Sequence, residues 1–312
     1  MDNLLLCLTA ILPLLLVTAL GYFAKRAGLI REEDVPRANK WAFGVFMPLM
    51  CFYNIYVSDL STALRPKLIV FTVLAIAGVY GLSFLFARRF IPERASRGVV
   101  IQGLFRSNFV ILGLPLAAGL TGDGDIAVAA VMGAVVVPCF NVLAVITLEM
   151  HNGRRPSVGK LLLNILKNPL ILGSVAGILF LALGIRLPDF LEKPVRDIGK
   201  AASPLMLFLL GAFFHFRLDR AVLRRALAVC AGRLLVIPAL VLGCAAALGF
   251  RGIELITLLA VFASPTAVAS FTMAEQLGGD ARLAGNIVVL TSLFSALTLF
   301  AWSFLLKMLN FY

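Results

Sequence analysis

A chain of 312 residues that is 61% hydrophobic, 14% charged and of mean hydropathy +0.99 lies far from a soluble domain, which carries about 25% charge. That composition sets aside a water-soluble enzyme or binding module and makes lipid the solvent. The formal net charge of +12 reads as attraction to anionic head groups of the bilayer, and nucleic acid is excluded as a partner.

A bilayer core takes about 20 apolar residues to cross as a helix. Ten spans are predicted, at roughly 3–24, 39–57, 67–87, 98–120, 126–148, 161–183, 198–216, 222–248, 253–276 and 283–307. At the start, Asp2 stands where a cleavable signal peptide carries positive charge, and Lys25 and Arg26 follow the apolar run. That order predicts a retained helix that starts outside and ends in the cytoplasm. Connections are short, and the longest, near 185–199, is expected to hold a short amphipathic segment. Of the 28 Lys and Arg, 18 fall in or beside the loops after spans 1, 3, 5, 7 and 9, and eight on the other side. The positive-inside rule then places both termini outside, in the periplasm if the membrane is a bacterial inner membrane.

Cys7, Cys51, Cys139, Cys230 and Cys244 are scattered through apolar spans, and His151 and His215 are the two histidines. Neither pattern has metal-ligand spacing, so no metal and no cofactor is expected.

The chain repeats itself. Pro13 to Gly21 matches Pro169 to Gly177 at an offset of 156, and at that offset Gly28 matches Gly184, Pro48-Leu49-Met50 matches Pro204-Leu205-Met206, and Phe52 matches Phe208. Leu120 to Asp123 resembles Leu277 to Asp280 at an offset of 157. Chance alignment of apolar text does not readily place prolines and glycines at one offset across two spans. Each repeat holds five spans, an odd number, so the second copy enters the membrane from the opposite side. The predicted fold class is therefore all-α integral membrane, with ten transmembrane helices as two inverted five-helix repeats, residues 1–150 and 151–312. Such repeats are the hallmark of many secondary transporters.

Spans 4 and 9, the fourth of each repeat, look like broken crossover helices. Span 4 carries Arg106, Ser107, Asn108, Gly113 and Pro115, and span 9 carries Ser264, Pro265, Thr266, Ser270 and Thr272. Proline removes a backbone donor and clashes with the carbonyl four residues earlier. Freed backbone groups at membrane depth must face protein, water or ligand, and half-helix N-termini favour an anion. Gly113, Pro115 and Pro265 are the candidate crossover residues. The candidate substrate-binding residues are Asn108, Arg106, Ser107, Asn54, Asn141, Ser264 and Thr266, with Phe105 and Phe52 as an apolar wall. An asparagine amide offers donors and an acceptor, which fits a carboxylate beside a neutral group. The plainer readings are a back-bond to its own helix for each Ser or Thr, an interhelical hydrogen bond for each Asn, and snorkelling to the head groups for Arg106 and Arg233. Carboxylates are absent from mid-span, so no buried proton relay is expected and ion coupling stays open.

These motifs resemble those of the auxin efflux carrier family, which includes plant exporters and bacterial malonate or malate permeases. The resemblance runs over nearly the whole chain. It is carried by Gly21 to Gly28, Arg106-Ser107-Asn108 with Gly113-Leu114-Pro115, Lys167-Asn168-Pro169, Ser264 to Ala267 and Met273 to Asp280. It implies that spans 1, 2, 6 and 7 form a scaffold, that spans 3–5 and 8–10 form a moving transport domain, and that Asn108 contacts a substrate carboxylate. It also implies a homodimer through the scaffold helices. The long cytoplasmic loop of many plant exporters shrinks here to about residues 150–160, and their span-3 carboxylate has no match in 66–87.

The function expected is a secondary carrier for a small organic anion working by elevator-type alternating access. The alternatives are a sodium- or proton-coupled symporter or exchanger of a related ten-helix fold, and a membrane sensor that binds without moving its ligand. No enzyme motif is present: there is no Gly-x-Ser-x-Gly and no paired intramembrane carboxylates.

Overall fold

The computed structural model describes residues 2–31, 33–58, 65–121, 126–151, 158–214 and 219–312. Asp123, His215 and most of the short loop after His151 lie outside the described residues. The rest is nearly all helix. In chain order it contains α1 (Asp2–Arg26), α2 (Asp34–Trp41), α3 (Met47–Tyr56), α4 (Pro66–Phe90), α5 (Arg94–Phe105), α6 (Leu114–Thr121), α7 (Ile126–His151), α8 (Val158–Leu166), α9 (Pro169–Ala182), α10 (Asp189–Phe213), α11 (Arg220–Ala231), α12 (Ile237–Ala247), α13 (Ile253–Ala263), α14 (Ala269–Gln276) and α15 (Ala281–Met308).

Among the described residues, five helical stretches are long and apolar enough to cross a membrane: Cys7–Arg26, Pro66–Phe90, Ala127–His151, Arg220–Ala247 and Ala281–Met308. Their outer faces are apolar. Leu12, Leu16 and Leu20 project from α1, each more than half exposed, the reverse of a water-soluble helix.

Three π-helical turns interrupt the helices, at Ala42–Phe46, Phe109–Gly113 and Gly232–Val236. Each ends two residues before a proline, Pro48, Pro115 and Pro238. A proline ring clashes with the carbonyl four residues earlier, and a widened turn accommodates it without ending the helix. Pro115 therefore sits within a continuing helix, Phe109–Thr121, and the actual break in that stretch lies earlier, at Arg106–Asn108.

Two sequence expectations shift. The charged stretch near 185–199 forms no separate segment. α10 starts at Asp189, with Pro188 before it and Asp189 and Glu192 in its first turn, where negative charge suits the helix dipole. Glu192 then accepts from the Tyr56 hydroxyl at 3.1 Å. The run 161–183 is two helices rather than one, because Pro169 cannot continue α8. Asn168 caps α9 instead, accepting from the Leu170 amide at 3.0 Å.

α1 packs on α10, and α3 packs on α9. Gly28 after α1 and Gly184 after α9 both adopt positive φ, 74° and 65°. Both end their helices in the same way: Leu29 donates to Ala24 O at 3.0 Å and Ile185 to Phe180 O at 2.9 Å, a glycine C-cap that satisfies a late helix carbonyl.

Candidate functional site

Two chain breaks meet inside the bundle. After α5 the chain leaves the helix at Arg106-Ser107-Asn108, with Arg106 extended, and after α13 at Ser264 to Ala267, with Ser264 extended. Ser107 and Thr266 form an isolated antiparallel bridge, in which the Asn108 amide donates to Pro265 O at 2.8 Å and the Ala267 amide to Arg106 O at 3.2 Å. Gly113 is where the helix after the first break packs against α13. A Cβ there would stand 2.7 Å from Ala260 O.

A broken helix must find partners for its last carbonyls. At the end of α5, Gln102 O accepts from the Arg106 amide, and Gly103 O accepts from the Thr266 hydroxyl at 2.7 Å. Leu104 O and Phe105 O accept from Arg233, at 3.0 and 3.4 Å. At the end of α13, Ala260 O accepts from the Ser264 hydroxyl at 2.6 Å. Val261 O and Ser264 O accept from Arg233, at 3.0 and 2.9 Å. Arg233 is thus fully buried and does not snorkel.

Arg106 is buried as well. Its Nη2 donates to Asn141 Oδ1 at 2.7 Å, and its Nη1 meets Met273 Sδ. Asn141 hands the network on, donating to Cys51 Sγ at 3.2 Å and to Ser174 Oγ at 3.4 Å. Among the described residues, sulfur and amide partners leave the guanidinium charge without a counter-ion, and a buried charge seeks one.

This charge borders a cavity of about 60 Å³, whose walls include Asn54, Arg106, Ser107, Asn108, Asn141 and Met206. Two buried polar atoms on that wall have no hydrogen-bond partner among the described residues, Asn108 Nδ2 and Ser107 Oγ. Such atoms cost free energy until something pairs with them. Phe109, Val110 and Ile111, at the start of the second half-helix, also line the cavity, and the first amides of a helix have no earlier turn to donate to. The arrangement offers donors around a small buried space, which is what an anionic group with a few acceptor oxygens requires. A second cavity of about 290 Å³ shares Asn54, Val110 and Val137 with the first and runs towards Ser58 and Ala127.

Of the predicted site residues, Asn54, Arg106, Ser107, Asn108 and Asn141 come together on this wall. Ser264 and Thr266 are spent on backbone carbonyls behind it. The Phe105 ring packs on Tyr80 and on Phe140, with centroids 5.3 and 6.0 Å away. Phe140 lines the cavity and Phe105 backs it. The Phe52 ring stacks on Tyr56 at 5.4 Å and meets Phe180 edge-on at 5.3 Å, outside the cavity wall. Sequence reasoning missed Cys51, Met50 and Met206 as wall residues. A signal was present for the two methionines, which match each other at the repeat offset.

A larger groove of about 530 Å³ lies between α4 and α11–α12. Its walls are apolar, and its Ser83 hydroxyl is spent on Val79 O at 2.6 Å. It offers no chemistry comparable to the small cavity.

A family model described as membrane transport protein matches residues 6–303. An uncharacterized transporter of Methanothermobacter thermautotrophicus is 24% identical over 299 residues, covering 95% of this chain and 97% of its own. An uncharacterized transporter of Methanocaldococcus jannaschii is 22% identical over 308 residues, with the same coverage, 95% and 97%. Nothing in these likenesses points to catalysis. The chain belongs to the membrane transport protein family, the auxin efflux carrier family that its motifs resemble, and is an integral membrane transporter.

Proposed function

We propose that this protein is a secondary carrier for a small organic anion, a dicarboxylate of malonate or malate size or an aromatic carboxylate, moved by alternating access around the cavity at the two breaks. One observation carries this reading. Arg106 holds a buried charge whose partners are Asn141 and Met273, beside Asn108, whose side-chain amide nitrogen has no partner among the described residues. A carboxylate supplies the missing charge and acceptors together.

In this reading residues 1–150 and 151–312 are inverted five-helix repeats, and the two breaks are their crossover. The stretches 2–56 and 158–213, spans 1, 2, 6 and 7, form the scaffold. Spans 3–5 and 8–10 move against it as an elevator, and two copies pair through the scaffold. The matched glycine caps at Gly28 and Gly184 support the repeat. The excess of Lys and Arg in alternate loops supports termini outside, across a bacterial inner membrane.

The test is flux of radiolabelled malonate, malate and indole-acetate into proteoliposomes, with and without pH and sodium gradients, for the wild type and Asn108→Ala. Flux that the folded Asn108→Ala variant loses supports the site. Saturable binding without flux in the wild type replaces the carrier with a sensor.

A further inference from the structure

Arg233 is the largest of the fully buried side chains among the described residues. It does not line the cavity, and no carboxylate approaches its guanidinium among those residues. Its N–H groups go to four backbone oxygens instead. Leu104 O and Phe105 O close α5, and Val261 O and Ser264 O close α13, at 2.9 to 3.4 Å. Two helix C-termini, each with partial negative charge, therefore converge on one point. Carbonyl oxygens at the C-terminal ends of half-helices are the groups with which broken-helix carriers hold a monovalent cation.

The approach of Arg233 is built in. It leaves the π turn Gly232–Val236, and the glycine before it brings that turn close to α5: a Cβ on Gly232 would stand 2.7 Å from Leu104 Cδ2, the tip of a side chain that can turn aside. The turn thus lies against α5, and the guanidinium reaches the backbone rather than the side chains. Trp302 Nε1 fastens the same turn from α15, donating to Leu234 O at 2.9 Å.

We propose that these four carbonyls form a monovalent-cation site which the protein fills with its own Arg233, a tethered cation that clasps the two breaks together. Its planar fork matches oxygens spread over two helices, which a spherical ion or an ammonium on a flexible stem does less well. The clasp acts one residue upstream of Arg106 and two upstream of Ser107, so Arg233 is a positioning residue for the cavity wall. Removing it leaves a carbonyl-lined hole of guanidinium size. Cation binding at that hole rests on geometry alone, and only its effect on flux rests on the transport reading above.

The experiment is thermal unfolding of detergent-purified wild type and Arg233→Ala with millimolar guanidinium, sodium or potassium chloride, and with urea as a neutral control. A cation that binds the folded variant raises its melting temperature. Guanidinium is expected to raise the Arg233→Ala melting temperature by several degrees and to leave the wild type unchanged or lower, with urea inert. A folded variant that ignores guanidinium, or that melts with the wild type in its absence, overturns the proposal. Should Arg233→Ala not fold, Arg233→Lys and Arg233→Gln decide. A stable lysine variant beside an unstable glutamine variant supports a required charge, and equal stability overturns it. In proteoliposomes, guanidinium on both sides is expected to restore anion flux through Arg233→Ala. If no anion crosses with the wild type, the carrier reading fails while the melting curves still judge the cation site.

Discussion

Gly21 on α1 lies against the backbone carbonyl of Phe208 on α10, so closely that a Cβ would overlap it. In the other half, Gly177 on α9 lies against the carbonyl of Phe52 on α3, where a Cβ would stand 2.8 Å away. Gly21 and Gly177 are partners at the repeat offset, and so are Phe52 and Phe208. The matched helices α1 and α9 therefore pack on α10 and α3, which carry the matched phenylalanines. Small residues let membrane helices approach to this distance.

Gly21→Ala is expected to destabilise the protein by about 3 kcal/mol, the upper end of overpacking costs, because the opposing atom is backbone and has no rotamer to yield. Gly177→Ala is expected to cost less, since its contact is longer. Gly78→Ala on α4, with open space around it, is expected to be neutral or to gain up to about 1 kcal/mol from helix propensity. Melting temperatures of the three variants in detergent check the order. Equal behaviour of all three would remove the packing argument.

These glycines were legible as a repeat before they were legible as contacts. Proline and glycine at one offset survive in the text because backbone geometry demands them, whereas the packed leucines around them are interchangeable. The polar triplet Arg106-Ser107-Asn108 marked the first break for the same reason. Pro115 misdirected, since its clash is absorbed by a π turn and the break lies seven residues before it. Arg233 was illegible in role. Nothing along the chain says that a charge in span 8 faces the carbonyl ends of spans 4 and 9, because that depends on how three helices meet.

The loop before α5 carries an ion pair. Arg225 Nη2 lies 2.8 Å from Glu93 Oε2 and donates to Glu93 Oε1 at 2.9 Å, and this hydrogen bond holds the Glu93 carboxyl below its ordinary range. A carboxyl with a lowered folded value contributes stability above its unfolded value and loses it as pH falls through the folded one. Both side chains are partly exposed, so the contribution is small and screened by salt. Glu93→Gln is expected to melt slightly below the wild type at neutral pH. Melting curves taken on acidification should converge, and a gap that persists below the carboxylate range would assign the difference to something other than this charge.

Asn39 on α2 donates to Glu275 Oε2 on α14 at 2.9 Å, which ties the proposed scaffold to the proposed moving body. If those bodies slide past each other, this contact opens in each cycle. In a variant freed of the five native cysteines, the pair Asn39→Cys and Glu275→Cys joined by a short reductant-cleavable cross-linker is expected to stop flux. Cleavage is expected to restore it. Full cross-linking with undiminished flux would rule out relative motion of α2 and α14 and with it the elevator.

The sharpest test of the site uses Asn141 rather than Arg106. Replacing Arg106 removes charge, packing and the Asn141 bond together, so a loss of flux has several causes. Asn141→Asp keeps size and shape and places a carboxylate oxygen where Oδ1 now sits, 2.7 Å from Arg106 Nη2. The guanidinium then has an internal counter-ion, and a buried pair of good geometry is tolerated far better than a lone charge. Stability is expected to hold or rise. An incoming anion, however, meets a neutralised arginine and a new negative charge, and it forfeits a charge-assisted hydrogen bond of about 1.5–3 kcal/mol. Apparent affinity should fall by about 10- to 100-fold, while Asn141→Gln, neutral but longer, should disturb packing more than affinity. Unfolding curves and anion concentration series on the same preparations separate the two effects. Wild-type affinity in a stable Asn141→Asp variant would mean that the anion does not pair with Arg106.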